Sequence, residues 1–128
     1  MKRILIVDDE PFYLKVLSDA LSGDFVIRTA QSAEQAIEII EAPREATPSG
    51  VNQFDLVITD LHLPGMNGYQ FAEYVRSKNR LSRFTPVIML TQYAITKEEA
   101  RQHGCAAYIP KGDIDKVVSI VRILLASR

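Results

Sequence analysis

Side chains that can carry charge or bind an anion follow short apolar stretches of this sequence. They are Asp8 and Asp9, Asp60, Thr91 and Lys111. Carboxylates that lie about 4–6 Å apart raise one another's pKa, so their grouping is unfavourable unless a cation compensates it. Mg²⁺ prefers oxygen ligands and binds through one or two carboxylates together with phosphate oxygens and water. If the fold brings these residues together, they can hold Mg²⁺ beside a phosphoryl group, with the lysine and the threonine hydroxyl as phosphate ligands.

Asp60 is the candidate nucleophile of this set. It ends the apolar run Leu56-Val57-Ile58-Thr59 and precedes two pairs of turn-forming residues, Pro64-Gly65 and Asn67-Gly68. Carboxylates form covalent intermediates in phosphoryl transfer, so an acid at this point can be reactive. In isolation, however, an acid before such a turn is also explained as a turn residue.

The sequence predicts five strands that alternate with five helices. We expect the strands at residues 4–7, 25–29, 55–59, 86–90 and 106–109. We expect the helices at residues 11–21, 32–42, 69–78, 96–104 and 113–126. Ser32 and Thr96 begin capping boxes, and Asp113 is expected to cap the last helix. Residues 43–53 show no periodicity and are predicted to form a long loop.

This alternation predicts an α/β protein whose parallel sheet is covered by helices on both faces. The strand segments are apolar throughout, which is typical of such sheets. A (βα)8 barrel would need about twice this length, so we expect an open doubly wound sheet. In these sheets the ligand site lies beyond the carboxyl ends of the strands. The polar residues that follow the strands are therefore expected to meet at one edge of the sheet.

The composition fits one domain and disfavours several classes of function. The chain has 128 residues, of which 47% are hydrophobic, with 15 Lys+Arg against 16 Asp+Glu. This balance gives no electrostatic basis for binding nucleic acid or an anionic membrane. The single Cys105 allows neither an internal disulfide nor a cysteine-based zinc site, and it fits a reducing cytoplasm. No stretch approaches the roughly 18 apolar residues of a membrane span, and the first ten residues lack a signal-peptide core.

Four motifs give the sequence a resemblance to a known family. They are ILIVDDE at 4–10, LVITDLHLPGMNGYQF at 56–71, PVIMLT at 86–91 and YIPK at 108–111. In this order and spacing they resemble the receiver domain of response regulators, the phosphoacceptor module of two-component signalling. The resemblance covers nearly the whole chain and implies a single receiver domain at residues 1–128. It also implies a flavodoxin-like (βα)5 fold with the strand order 2-1-3-4-5.

The resemblance implies a phosphoacceptor and its metal ligands. Asp60 would accept a phosphoryl group from a phosphohistidine of a sensor histidine kinase or a histidine phosphotransfer protein, or from a small phosphodonor. Asp8 and Asp9 would bind Mg²⁺, for which Mn²⁺ can substitute. Asp60 itself and the backbone carbonyl of His62 would be further ligands.

The resemblance also implies how a signal leaves the site. Thr91 and Lys111 would bind phosphoryl oxygens, and Tyr108 would change rotamer as Thr91 moves towards the phosphate. The fourth helix, fifth strand and fifth helix would form the output surface, which would control a partner, an effector or a second copy of the chain. The chain would be a cytoplasmic bacterial switch that catalyses only its own phosphorylation and dephosphorylation, unlike a conventional enzyme.

The last helix carries two apolar residues away from the centre of its apolar side. At 100° per residue, Ile123 falls almost opposite that centre and Ile120 lies on its flank. On the expected output surface, these two residues can contact a partner or a second copy of the chain. Incidental exposure is the alternative interpretation, because a single exposed isoleucine means little.

Two residues depart from the family pattern. The family has proline after the lysine, generally through a cis bond, whereas Gly112 follows Lys111 here. A cis bond before a residue other than proline costs about 2.5–4 kcal/mol, so we expect either a trans bond or a strained one. Gln92 follows Thr91 where the family usually has a small residue. Its longer side chain is expected to hinder attacking water and so to alter the lifetime of the phosphoryl group.

Each residue of the site also has a simpler interpretation. The acids after the first strand can cap the first helix, Asp60 can form a turn, and Lys111 can be a solvated surface lysine. Together these interpretations require several coincidences at one edge of one sheet, so we favour the phosphoryl site. His103 and Cys105 are interpreted as a solvent-facing residue and a packing residue.

Two other functions stay open from the sequence. A degenerate receiver would act as a constitutive protein-interaction module, which Gly112 and Gln92 favour although every phosphorylation residue is present. A small phosphatase or nucleotide-binding enzyme of doubly wound fold is the other. Such a phosphatase usually has a second acid as proton donor, but His62 stands two residues after Asp60, and neither a GxxxxGK[ST] nor a GxGxxG loop is present.

Overall fold

The computed structural model describes residues 1–42, 54–77, 85–92 and 95–126. The loop predicted at 43–53 and the last residue of the helix predicted at 69–78 lie outside the described residues. Within the described ranges, no helix has the length and apolar character needed to cross a membrane.

Strands and helices alternate five times along the described residues. The strands are β1 (Arg3–Val7), β2 (Val26–Ala30), β3 (Leu56–Asp60), β4 (Val87–Thr91) and β5 (Ala107–Pro110). The helices are α1 (Pro11–Leu21), α2 (Ala33–Ile40), α3 (Gly68–Ser77), α4 (Lys97–Gln102) and α5 (Ile114–Ala126). The strands pair in parallel in the order β2-β1-β3-β4-β5. This confirms the predicted fold class and strand order.

Side-chain caps explain where three of the helices begin. Ser32 Oγ accepts a hydrogen bond from the Gln35 N–H at 3.0 Å, immediately before α2. Thr96 Oγ accepts one from the Glu99 N–H at 3.0 Å, immediately before α4. The carboxylate of Asp113 caps α5 in the same way. These bonds satisfy backbone donors that have no partner within the helix, and they confirm the three predicted caps.

The sheet separates two layers of core packing. Alternate residues of a strand point to opposite faces, so Ile4 and Ile6 pack beneath α1 and α5, whereas Leu5 and Val7 pack beneath α2, α3 and α4. Strands β3 and β4 are buried along their whole length. Strand β2 departs from the expectation of full coverage, because it is an edge strand in which only Ala30 is fully buried.

The parallel register brings the residues after the strands to one edge of the sheet. Val7 at the end of β1 pairs with Thr59 of β3, and Thr91 at the end of β4 pairs with Pro110 of β5. Because the strands run in the same direction, the segments that follow them emerge side by side. We call this the carboxyl edge, and it comprises residues 8–10, 60–62, 91–92 and 110–112.

Candidate functional site

Three carboxylates converge at the carboxyl edge. Asp8, Asp9 and Asp60 each place a carboxylate oxygen within 4.8 Å of the others. Asp8 is completely buried and Asp60 is 4% exposed, whereas Asp9 faces solvent. The structure therefore brings together the three acids that were predicted as metal ligands, and Asp60 is not an exposed turn residue.

Lys111 places its ammonium among these acids. Its Nζ lies 3.1 Å from Asp8 Oδ2, 3.3 Å from Asp60 Oδ2 and 3.0 Å from Glu10 Oε1, and its side chain is only 5% exposed. Burial disfavours the charged lysine, but the hydrogen bonds to Glu10 and Asp8 outweigh it and raise the pKa of the ammonium. The lysine therefore stays protonated, and its interpretation as a solvated surface residue is wrong.

Asp8 is the acid whose ionisation is disfavoured. Burial raises the pKa of its carboxyl, although the Glu10 N–H, which donates to Oδ1 at 2.9 Å, and the nearby Lys111 act in the opposite direction. Within the described residues Asp8 Oδ2 accepts no hydrogen bond, because its 3.1 Å contact with the ammonium lacks hydrogen-bond geometry. A buried carboxylate oxygen left in this state, in an all-oxygen cluster of acids, fits a site for a hard divalent cation.

The acids after β1 do not serve simply as caps of α1. Glu10 occupies the N-cap position, but its side chain makes no capping hydrogen bond. Its carboxylate contacts Lys111 instead. The Glu10 backbone N–H is bound by the Asp8 carboxylate, which orients that carboxylate from the chain side. The helix start therefore positions the acids of the site.

The loop after β3 fixes the backbone around Asp60. The His62 N–H donates to Asp60 Oδ1 at 3.4 Å, and the Gly68 N–H donates to the Leu61 carbonyl at 2.9 Å. A Cβ atom at Gly68 would lie 2.4 Å from the Asp60 carbonyl oxygen, so only glycine permits this close approach of α3. The His62 side chain is exposed. The role predicted for its carbonyl stays a prediction.

Thr91 and Tyr108 lie on the adjacent strands β4 and β5, and Thr91 is at the carboxyl edge. Thr91 is 3% exposed at the end of β4, and its carbonyl accepts a hydrogen bond from the Lys111 N–H at 2.9 Å. Tyr108 is half-buried on β5 and lines a surface groove of about 660 Å³ between α4, β5 and the start of α5. The structure thus places Thr91 at the carboxyl edge and Tyr108 on the neighbouring strand, while their predicted roles and coupled movement stay predictions.

Four residues outside the acid cluster were predicted to be surface or packing residues, and the structure treats them differently. Ile123 is 68% exposed, whereas Ile120 is half-buried against the core beneath α1 and α5. Cys105 is buried, as expected of a packing residue. His103 does not simply face solvent, because its ring stacks on Tyr69 with centroids 3.9 Å apart.

Tyr13 contacts the site, although the sequence motifs did not predict it. It belongs to α1 and is 8% exposed. Its hydroxyl accepts a hydrogen bond from the Gly112 N–H at 3.0 Å, and Lys111 Nζ lies 5.0 Å from its ring centroid. Burial raises the pKa of the phenol, which therefore stays protonated. Its position one helical turn after the acids is the only sequence signal that could have pointed to it.

Gly112 has a conformation that favours glycine. Its φ is 105°, in the left-handed region, and an added Cβ would meet nothing within 4 Å. The described residues contain no cis peptide bond, so the bond between Lys111 and Gly112 is trans, as one of the two expectations had it. The lysine reaches the acids with this trans bond in place.

Comparison with known proteins identifies the family. The sequence pattern of the family described as "Response regulator receiver domain" matches residues 4–122. Response regulator Rre1 of Synechocystis is 34% identical over 96% of this chain, and the chain spans only 51% of that protein. The polar-differentiation response regulator DivK of Brucella anthropi is 32% identical over 86% of this chain and 84% of its own length.

A solved structure agrees with the sequence relatives. The response regulator TrrA of Thermotoga maritima, in complex with Mg²⁺-BeF, superposes with a TM-score of 0.74 at 30% identity and covers 98% of this chain and 100% of its own. The family match spans every residue that meets at the carboxyl edge. This chain therefore belongs to the response regulator receiver domains, the phosphorylation switches of two-component signalling, which bind Mg²⁺ at such an acidic pocket.

Proposed function

We propose that this chain is a switch in which Asp60 accepts a phosphoryl group from the phosphohistidine of a sensor histidine kinase or a histidine phosphotransfer protein. One observation carries the proposal. The carboxylate of Asp60 ends a buried strand, has Lys111 Nζ 3.3 Å from one oxygen, and lies in a cluster with Asp8 and Asp9. This is the only such cluster of acids among the residues that the structure describes. A small phosphodonor can supply the same group.

The transfer replaces one bond to phosphorus by another. An oxygen of the Asp60 carboxylate attacks the phosphorus as the P–N bond to the donor imidazole breaks, and the electron pair stays on the imidazole nitrogen. Lys111 and the Thr91 hydroxyl bind the phosphoryl oxygens and stabilise their charge in a site with little solvent. The switch returns to its resting state by a separate hydrolysis, in which water attacks the phosphorus, the Asp60 carboxylate leaves and inorganic phosphate is released. The chain therefore acts only on itself and is not a conventional enzyme.

The acids of the carboxyl edge would hold the metal ion. Asp8, Asp9 and Asp60 form an all-oxygen cluster, which the backbone carbonyl of His62 would complete, and such a set suits Mg²⁺ or its substitute Mn²⁺. The bound ion supplies positive charge to the carboxylates and to the phosphoryl oxygens. The Asp8 oxygen that accepts no hydrogen bond within the described residues supports this assignment.

The face formed by α4, β5 and α5 would carry the signal to a downstream protein or effector domain. Tyr108 lies in the groove of this face, so a rotamer change that follows Thr91 would alter the groove. Ile123 is exposed on α5 and Ile120 is half-buried beside it, and both are proposed contacts for a partner or for a second copy in a homodimer. We place the switch in the cytoplasm, with no direct contact to nucleic acid or membrane. If Ile123→Glu left both self-association and partner binding unchanged, the exposure would be incidental.

Beryllofluoride, which mimics a phosphoryl group on a carboxylate, tests the proposal directly. Addition of Mg²⁺ and beryllofluoride to the ¹⁵N-labelled chain should shift the amide resonances of Asp60, Thr91 and Tyr108, and Asp60→Asn should abolish the shifts. Incubation with Mg²⁺ and acetyl phosphate should add one phosphoryl group by intact mass, again only with Asp60 present. A degenerate receiver that works as a constitutive interaction module predicts no spectral response and no mass gain, and that outcome would replace the proposal.

A further inference from the structure

Lys111 belongs to the short segment between β5 and α5, and the backbone of this segment sets the direction in which the lysine side chain points. The N–H of Lys111 is bound to the Thr91 carbonyl at the end of β4. The next residue, Gly112, has a left-handed φ of 105° and empty space around its Cα, so glycine's wide conformational freedom is not limited there by side-chain packing. In the family pattern this position is a proline, whose ring fixes φ by itself. The present chain must restrain the segment in another way.

Tyr13 supplies such a restraint from α1. Its hydroxyl accepts the Gly112 N–H at 3.0 Å across 99 positions of sequence, and proline at 112 would have no N–H to donate. Its ring lies beneath the ammonium of Lys111, with Nζ 5.0 Å from the ring centroid, a distance at which the ring face attracts a cation. One side chain therefore contacts both the backbone after the lysine and the charged end of the lysine.

A purely structural role for Tyr13 explains only part of these contacts. The ring packs in the core beneath α1 and α5 with Leu14 and Leu17, and phenylalanine or leucine would fill that space as well. Neither residue could accept the Gly112 N–H. The hydroxyl is therefore explained by the segment that carries Lys111 and not by the core.

Charge alone does not fix the lysine once Asp60 reacts. In the unmodified protein the ammonium is shared among Asp8, Glu10 and Asp60. When the Asp60 carboxylate becomes an acyl phosphate, the ammonium must leave that oxygen and bind the phosphoryl group, while Asp8 and Glu10 still attract it. A rigid support below the lysine limits the positions it can take and favours the one that faces the phosphoryl oxygens.

We infer that Tyr13 is a positioning residue for phosphoryl transfer, which holds the Lys111–Gly112 segment so that the lysine ammonium meets the phosphoryl group. The inference rests on the proposed function, since it assigns a role in the same reaction. Tyr13 acts through Lys111 and does not touch the reacting atoms, so it is not a catalytic residue. It takes the place of the restraint that the family's proline provides.

Removal of one oxygen atom tests the inference. Tyr13→Phe keeps the ring and loses the hydroxyl, and it should slow phosphorylation of Asp60 by acetyl phosphate at saturating Mg²⁺ by about 3- to 10-fold, the range that one hydrogen bond gives. The Gly112 amide resonance should shift in the same variant. Tyr74→Phe is the matched control, because it removes a phenol hydroxyl that bonds to Glu41 on the other side of the sheet, and it should phosphorylate at the wild-type rate.

A double-mutant cycle separates positioning from a general structural effect. If the hydroxyl acts through the lysine, adding Tyr13→Phe to Lys111→Met should slow the reaction no further. The same fold loss in that background, or an equal loss in Tyr74→Phe, would overturn the inference. If Tyr13→Phe reacts at the wild-type rate, the role of Tyr13 is wrong but the proposed function stands. If the wild-type chain itself gains no phosphoryl group, the proposed function is wrong as well. If Tyr13→Phe failed to fold, rapid solvent exchange of the Gly112 amide in the wild type would still contradict the hydrogen bond.

Discussion

Asp55 immediately precedes strand β3 and Asp60 ends it, and the surroundings of the two acids differ. At the amino end, Asp55 Oδ2 accepts the backbone N–H of Arg3 at 2.8 Å, and the Arg3 guanidinium lies 5.9 Å over the ring of Phe54. One acid there meets one nearby cationic residue. At the carboxyl edge, three acids, Asp8, Glu10 and Asp60, share the ammonium of Lys111, and Asp9 adds a fourth carboxylate to the cluster.

The difference teaches how an acid at a strand end can be interpreted. An acid that local donors satisfy serves the fold, and its removal costs only the bonds that it makes. Where acids outnumber the nearby cations, the carboxylates repel one another in the folded protein. The stability of the fold around them then depends on protonation of an acid or on a bound cation. Mutations at the amino end should therefore change the stability of the fold by an amount that does not depend on Mg²⁺. At the carboxyl edge, the effect of a mutation on stability should depend on pH and on Mg²⁺.

The largest effect is expected when the carboxyl edge loses its ammonium. In metal-free protein, Lys111→Met should lower the free energy of unfolding by about 2–3 kcal/mol, because it leaves buried carboxylates without their partner and only protonation of Asp8 softens the loss. Added Mg²⁺ should restore part of it, since a second cation then neutralises the acids. Urea titrations with EDTA or with Mg²⁺ measure both quantities.

Lys15→Met is the matched control for that change. Lys15 also pairs with an aspartate, but its side chain is 74% exposed, so its removal should change stability by less than about 0.5 kcal/mol with or without Mg²⁺. If both lysine variants gave equal losses, the acids at the carboxyl edge would not depend on the ammonium.

Asp8→Asn should stabilise the metal-free protein at neutral pH. The pKa of Asp8 in the folded state is raised above its ordinary 3.8, mainly by burial. The protonated carboxyl therefore contributes fully to the free energy of unfolding below its ordinary pKa, and this contribution is lost as the pH rises through the pKa of the folded state. We expect wild type and variant to be nearly equal in stability below that window, and the variant to be the more stable of the two at pH 7.

Mg²⁺ should reverse the order of these two proteins. Binding to the folded state stabilises the wild type in proportion to its affinity, while the variant has lost one charged ligand. Thermal melts from acid to neutral pH, with and without Mg²⁺, follow the crossover. A variant less stable than wild type at pH 7 in EDTA would contradict the view that burial disfavours the Asp8 carboxylate.

At the amino end, Asp55→Ala should lower the free energy of unfolding by about 1 kcal/mol, the value of the hydrogen bond to the Arg3 N–H. Its loss should be the same in EDTA and in Mg²⁺, and phosphorylation of Asp60 should be unchanged. Asp55→Asn keeps an oxygen acceptor and should recover most of the stability. A Mg²⁺-dependent loss would show that the two ends of β3 are not independent.

The sequence predicted the fold and the acids because both depend on local patterns. Apolar runs and turn residues define the strands, and the parallel sheet then brings Asp8, Asp60 and Lys111 to one edge without further information. The helix caps at Ser32 and Thr96 are likewise local and were confirmed.

The contacts that the sequence did not predict join distant segments of the chain. Glu10 and Tyr13 meet the segment at 111–112 only because α1 begins and β5 ends at the same edge of the sheet, although about a hundred residues of sequence separate them. His103 reaches Tyr69 across α3 and α4 in the same way. The exposure of β2 follows from its place at the edge of the sheet, which its apolar residues do not encode.

The smallest expected effect is at Gln92, the residue directly after β4 at the carboxyl edge. Gln92 follows the buried Thr91 and is itself exposed, so its side chain can shield the phosphoryl group from water without bearing on the fold. Gln92→Ala should speed the loss of phosphate from Asp60 by about 2- to 5-fold, which corresponds to a lowering of the activation free energy by less than about 1 kcal/mol. Intact mass followed over time after removal of the phosphodonor measures the decay. Gln102→Ala changes another exposed glutamine, at the end of α4, and its phosphate should be lost at the wild-type rate. Equal rates in all three proteins would place the limit of the site at Thr91, and stability in urea should be the same in each because neither glutamine is buried.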